Sequence, residues 1–150
     1  MAVLIAAAST AGFAATATFA DGEAGISAKV EGAKNKVFSD TWNFFGLGAG
    51  TYSIQGALNG TNLSFTSIVL DGRTWDLTQT GNFSFASVEY SGHGPLQLTI
   101  SGIKLNSAPF KASYNGSVSV SPVPEPETYA MLLAGLGVMG AIARRRKQAA

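Results

Sequence analysis

Ile68-Val69-Leu70-Asp71-Gly72-Arg73-Thr74-Trp75 decides the fold of this chain. Two runs rich in apolar and β-branched residues flank an Asp-Gly pair. A two-residue type I′ turn needs positive φ at both central positions, and Asp-Gly supplies that at little cost, so the stretch reads as a β-hairpin. Outward from it, short segments rich in Val, Ile, Phe, Tyr, Trp and Thr recur about every eight to twelve residues, the spacing of small all-β domains. Asn59-Gly60, Gly92-His93-Gly94 and Asn115-Gly116 add further turn signals between them. The pattern predicts strands over residues 37–45, 51–58, 62–70, 73–77, 82–90, 96–103 and 112–120. Tyr52, Ile54 and Leu58 alternate onto one face with Gly56 between them, and Leu96, Leu98 and Ile100 share a face opposite Gln97 and Thr99. The expected architecture is therefore all-β, a small antiparallel β-sandwich or flattened barrel, flanked by an N-terminal signal helix and a short C-terminal transmembrane helix.

The N-terminal flank is almost wholly small or apolar over residues 2–8 and 11–15. Ala15-Thr16-Ala17 and Thr18-Phe19-Ala20 each end on the small-x-small pattern that signal peptidase cuts after. Composition then changes abruptly to Asp21-Gly22-Glu23-Ala24-Gly25. Residues 1–20 read as a secretory signal peptide. Because no Lys or Arg precedes the apolar run, Met1 is expected to lie inside a longer reading frame.

The C-terminal flank runs Ser121-Pro122-Val123-Pro124-Glu125-Pro126-Glu127-Thr128-Tyr129-Ala130, continues apolar to Ala143, and closes on Arg144-Arg145-Arg146-Lys147. A proline-rich breaker exposes the chain, an apolar helix enters a bilayer, and four adjacent cations hold the end in the cytoplasm. Residues 129–143 are uncharged. As a helix they rise about 22 Å against a hydrocarbon core of about 30 Å, which suits temporary retention better than permanent anchoring. A buried C-terminal helix is the competing reading, but Gly135, Gly137 and Gly140 on an all-apolar cylinder with a basic end fit it badly.

This three-part order resembles the PEP-CTERM sorting signal of Gram-negative bacteria, through Val123-Pro124-Glu125-Pro126, the apolar helix and Arg144-Arg145-Arg146-Lys147. The resemblance implies recognition by exosortase, a membrane-embedded cysteine protease or transpeptidase. Pro124, Glu125 and Pro126 would then be the sorting motif, and Arg144, Arg145, Arg146 and Lys147 the basic membrane stop. It also implies an exported protein of a bacterium that makes exopolysaccharide: a precursor tethered to the inner membrane, then a cell-surface or extracellular product. The chain divides accordingly into residues 1–20, an exported β-domain over 21–121, and the sorting tail over 122–150.

Residues 21–121 are enough for one core, and they hold six basic and seven acidic residues with no basic run. Phosphate binding needs clustered cations, so no nucleic-acid partner is expected. With no cysteine there is neither a disulfide framework nor thiolate chemistry.

Within this domain, Phe38-Ser39-Asp40-Thr41-Trp42-Asn43-Phe44 places Phe38, Asp40, Trp42 and Phe44 on one face of a strand, a carboxylate among three aromatics. The segment resembles the FxDxxTF subgroup of PEP-CTERM proteins through Phe38, Asp40 and Phe44, with Asn43 standing where that pattern has Thr. The aromatics are expected to pack the sandwich, with Asp40 bonded to backbone N–H groups of a turn or lying beyond the core edge. A Ca²⁺ or glycan contact is the alternative. No catalytic, cofactor or metal site is expected: His93 is the only histidine and sits in a turn sequence, and Asp40, Asp71, Asp76 and Glu89 are scattered. No nucleophile-elbow sequence and no phosphate-cradling glycine loop is present. The leading function is a non-enzymatic surface or matrix protein. The alternative is a glycan-binding module using Trp42, Trp75, Tyr52, Tyr90 and Tyr114 as an exposed stacking platform beside exopolysaccharide.

Overall fold

The Asp71-Gly72 hairpin forms as read, with Leu70 opposite Arg73 and φ of 46° at Asp71 and 81° at Gly72, both in the left-handed region that a type I′ turn requires. The computed structural model describes residues 4–9, 12–92, 94–107 and 109–149, and the side chains of all of these except residues 4–9, 79 and 80. Within them the chain forms β1 (Leu4–Ser9), β2 (Ala14–Thr18), β3 (Glu23–Val30), β4 (Val37–Phe45), β5 (Tyr52–Thr61), β6 (Leu63–Leu70), β7 (Arg73–Thr80), β8 (Asn82–Tyr90), β9 (Leu96–Lys104), β10 (Ala112–Pro122) and α1 (Pro126–Gln148).

The strands make two five-stranded sheets, in the orders β1-β3-β10-β5-β8 and β2-β4-β9-β6-β7. Each strand's neighbour in sequence holds the matching rank in the opposite sheet, so the chain repeatedly steps across the sandwich. Pairing is antiparallel except at one edge, where β1 lies parallel to β3 and β2 parallel to β4. Between the sheets lie Trp42, Tyr114, Phe38, Phe44, Phe65, Ile54 and Leu98, all fully buried. Ile54 and Leu58 face in as alternation predicts, Leu96, Leu98 and Ile100 are buried, and Gln97 faces out.

All seven strands expected from the sequence are present, and 37–45 and 82–90 match end to end. Three readings need correction. Asn59-Gly60 and Asn115-Gly116 lie inside β5 and β10 rather than in turns. A Cβ on Gly116 would fall on the Ala57 carbonyl oxygen and the Leu58 side chain, so that glycine serves close approach of two strands.

The N-terminal flank is also not helical where it is described: residues 4–9 and 14–18 are strands. Phe13, Ala15, Ala17 and Phe19 point inward while Ala14, Thr16 and Thr18 point out, a period of two that small apolar residues hide. Ala17 is fully buried, the Phe13 ring meets Trp42 edge-on at 5.4 Å, and Phe19 stacks on Phe44 at 5.3 Å. Cleavage after Ala17 or Ala20 would strip these contacts from the core. β3 is a further strand beyond the seven, because its buried positions include the small Ala24 and Ala28 along with Ile26 and Val30.

The C-terminal helix is longer than the apolar run that predicts it. It spans 23 residues, about 35 Å at 1.5 Å per residue, long and apolar enough to cross a membrane. Pro126 starts it at a position where the missing N–H costs nothing, Glu127 stands in its first turn, and Arg145, Arg146 and Lys147 stand in its last, each charge matching the helix dipole.

Candidate functional site

Three places hold the residues with chemical potential: the tail, a buried carboxylate, and the end of the sandwich where β3 and β9 stop and β4 and β10 start.

The tail leaves the sheet at Pro122. Val123 N–H still donates to Thr51 O at 2.9 Å, and the chain then passes through Pro124 and Glu125, both exposed, into α1. No residue of α1 is buried, and Met131, Leu133, Val138 and Met139 are exposed. A helix apolar all round has no stable place in water, so this geometry suits lipid. Pro124, Glu125 and Pro126 form an exposed joint, and Arg144 to Lys147 lie at the far end of α1.

Asp40 does what the sequence did not indicate. It is fully buried on the inner face of β4, between Phe38 and Trp42, rather than beyond the core edge. Tyr114 Oη donates to Asp40 Oδ2 at 2.8 Å and accepts from Trp42 Nε1 at 3.0 Å, a relay between the sheets. Burial pushes the Tyr114 phenol far above its usual value; the Trp42 hydrogen bond opposes this in part, and the Asp40 charge and hydrogen bond add smaller upward pushes. The relay is sealed from solvent.

The aromatic platform does not form as a set. Trp42, Tyr90 and Tyr114 are buried, whereas Tyr52 and Trp75 are half-buried. Trp75 packs on Phe85 at 5.6 Å and Phe83 at 5.7 Å, closing the β7–β8 side of the core. Tyr90 Oη donates to Gly94 O at 2.8 Å, and burial, then Asp71, raise its pKa. Asp71 stays in its turn and Asp76 is exposed on β7. Among the described residues no group of three or more His, Cys, Asp or Glu side chains could hold a metal; His93 lies outside them.

The fold instead assembles a cationic end. Lys29 near the end of β3, Lys34 and Lys36 in the loop to β4, Lys104 at the end of β9 and Lys111 before β10 come to one end of the sandwich, against Glu31 alone. These are five of the six basic residues between Asp21 and Ser121. Backbone bonds pin the loops together: Asn35 N–H to Lys104 O at 2.8 Å, Lys104 N–H to Lys36 O at 2.9 Å, and Leu105 N–H to Asn62 O at 3.0 Å. Asn106 Nδ2 donates to Asn62 Oδ1 at 2.7 Å, and Asn62 Nδ2 to Phe110 O at 3.4 Å. A cleft of about 500 Å³ opens there, lined among others by Lys29, Lys104, Phe110, Lys111 and Ser113. Linear reading missed it because 68 positions separate Lys36 from Lys104. The available signal was that both lysine groups flank strand ends.

Residues 122–147 match the PEP-CTERM protein-sorting motif. A search of curated proteins finds no match to the chain. Among solved structures it is similar to a mutant of PliG-Ec, a periplasmic lysozyme inhibitor of g-type lysozyme from Escherichia coli, at 12% identity and a TM-score of 0.38, over 74% of this chain and 100% of that one. The Aeromonas hydrophila PliG gives 14% identity and a TM-score of 0.36 over the same shares. The insecticidal delta-endotoxin Cry8Ea1 of Bacillus thuringiensis gives 11% identity and 0.33, over 67% of this chain and 20% of the toxin.

Proposed function

We propose that this chain is an exported, non-enzymatic surface or matrix protein whose β-domain is delivered by its tail. One observation carries the reading: the segment matching the PEP-CTERM protein-sorting motif leaves the last strand through exposed prolines and becomes an apolar helix with no contact to bury it. PEP-CTERM tails are processed by exosortase. The precursor is held at the inner membrane by α1, Arg144 to Lys147 keep its end cytoplasmic, and processing near Pro124-Glu125-Pro126 frees the domain for the cell surface. Export begins with signal peptidase acting ahead of Phe13, since Phe13, Ala17 and Phe19 are core contacts. The inward set Phe38, Asp40 and Phe44 supports placement in the FxDxxTF subgroup, with Asn43 as the departure. A non-enzymatic role is supported by the sealing of Asp40 and the dispersal of the other carboxylates.

Mass spectrometry of the mature protein's C-terminus tests the reading. The expected end lies within or just after Pro122–Pro126. A surface-located product that still carries Arg144 to Lys147 would make the tail a plain anchor and end the exosortase assignment. The second reading, a glycan-binding module beside exopolysaccharide, is favoured by the lysine-lined cleft.

A further inference from the structure

Charge in this domain is sorted along the strand axis. Lys29, Lys34, Lys36, Lys104 and Lys111 occupy one end with Glu31, while Asp21, Glu23, Asp71 and Glu89 occupy the other with Arg73. Between the ends the outer face of the second sheet is short-chained and mostly uncharged, with hydroxyl pairs Ser39–Ser101 and Thr41–Thr99 at 3.1 Å. β10 links the ends: it starts beside Lys111 and finishes at the tail, about 35 Å away for 11 residues of extended chain.

Lys104 gives the cationic end its character. Alternation along β9 turns it inward after Leu96, Leu98, Ile100 and Gly102, and it is only 5% exposed. Its Nζ donates to Gly32 O at 2.9 Å, a neutral carbonyl. Desolvating an ammonium against a neutral partner is costly, and an anion in the cleft it lines would offset that cost. Lys29 and Lys111 stand exposed on the rim, and Phe110 presents an apolar ring 61% exposed at the same opening.

We propose that this cleft binds a carboxylate-bearing polysaccharide. The lysines meet its regularly spaced carboxylates, Lys104 takes the innermost one, and the Phe110 ring lies against the C–H face of a sugar. The volume suits one or two sugar units, with the rim lysines following the chain beyond. Lysines act as separate point charges, each able to meet one anionic group of a charged chain without a fixed fork geometry. The outward orientation of the cleft rests on the proposed tethering by the tail. Binding itself does not.

The test uses full-length protein in neutral detergent, so it is independent of tail processing. Polygalacturonate, neutral dextran and duplex DNA are compared by light scattering and co-sedimentation at low and physiological salt. Polygalacturonate is expected to bind, more weakly as salt rises, and dextran not to bind. Lys29→Gln with Lys111→Gln should weaken polygalacturonate about tenfold, the loss of two rim cations at up to about 1 kcal/mol each, while Arg73→Gln at the opposite end leaves it unchanged. Phe110→Ser should weaken it at unchanged salt dependence, separating stacking from charge. The proposal is overturned if dextran binds equally, if the double variant binds polygalacturonate like wild type with an unchanged melting curve, or if the double variant loses DNA binding more than polygalacturonate binding.

Discussion

At the scale of single residues, Asp40 shows both what alternation reveals and what it hides. Period two put Phe38, Asp40, Trp42 and Phe44 on one face, as observed, but nothing local pointed to Tyr114, 74 positions away on the other sheet. The pairing is a property of the sandwich, so only the fold discloses it. Tyr114→Phe removes a hydroxyl that gives one buried hydrogen bond and takes another, and should cost about 1–3 kcal/mol in denaturant unfolding. The pH dependence follows from the raised phenol pKa. Below about pH 10 folded and unfolded chains both hold the proton, so the contribution is whole. Above it the unfolded chain releases the proton while the folded one keeps it, and stability falls as pH rises. Urea titrations from neutral pH to pH 11 should show a steeper alkaline loss in wild type than in Tyr114→Phe; equal slopes would mean that another group controls it.

Elements differ in how plainly their sequences announce them. Strands built on large apolar residues, such as β4 and β8, are legible to the residue, whereas β2 and β3 bury alanines and are masked by composition. The first 20 residues satisfy the rules for an exported leader and for an edge strand together, and in the full chain Phe13 and Phe19 pack on Trp42 and Phe44. Mature protein should therefore start ahead of Phe13, and removing residues 1–20 should cost more than about 3 kcal/mol through the loss of Phe13, Ala17 and Phe19 burial. N-terminal sequencing and chemical denaturation check both points; a mature start at Thr18 or Asp21 with wild-type stability would contradict them. The tail was the most legible element, since its parts act in linear order. Replacing Arg144, Arg145, Arg146 and Lys147 with Ser should impair retention and processing, read as precursor escaping the membrane fraction. Changing Pro124 and Pro126 to Ala should leave insertion intact and slow cleavage, because α1 can extend backward through Glu125. Neither variant touches the core, and both should melt as wild type.

At the scale of the whole molecule, the sandwich and its hairpin were readable while the charge sorting was not, because near-neutral totals conceal where each charge ends up. Five lysines at one end repel one another, and screening relieves that. Raising ionic strength from about 10 mM to about 150 mM should increase the unfolding midpoint, and neutralising Lys34 and Lys36 with Gln should reduce the gain. A midpoint indifferent to salt would mean that these charges sit too far apart in solvent to interact. The place of β10 has a mechanical consequence. It is a central strand, bonded to β3 along one side and β5 along the other, and it is also the strand that carries the tail. A pull between the tail and a load held at the lysine end runs along its axis, so both ladders are sheared at once instead of being unzipped bond by bond from an edge. The domain is thus strung for tension along the one line on which a tethered molecule would be tugged.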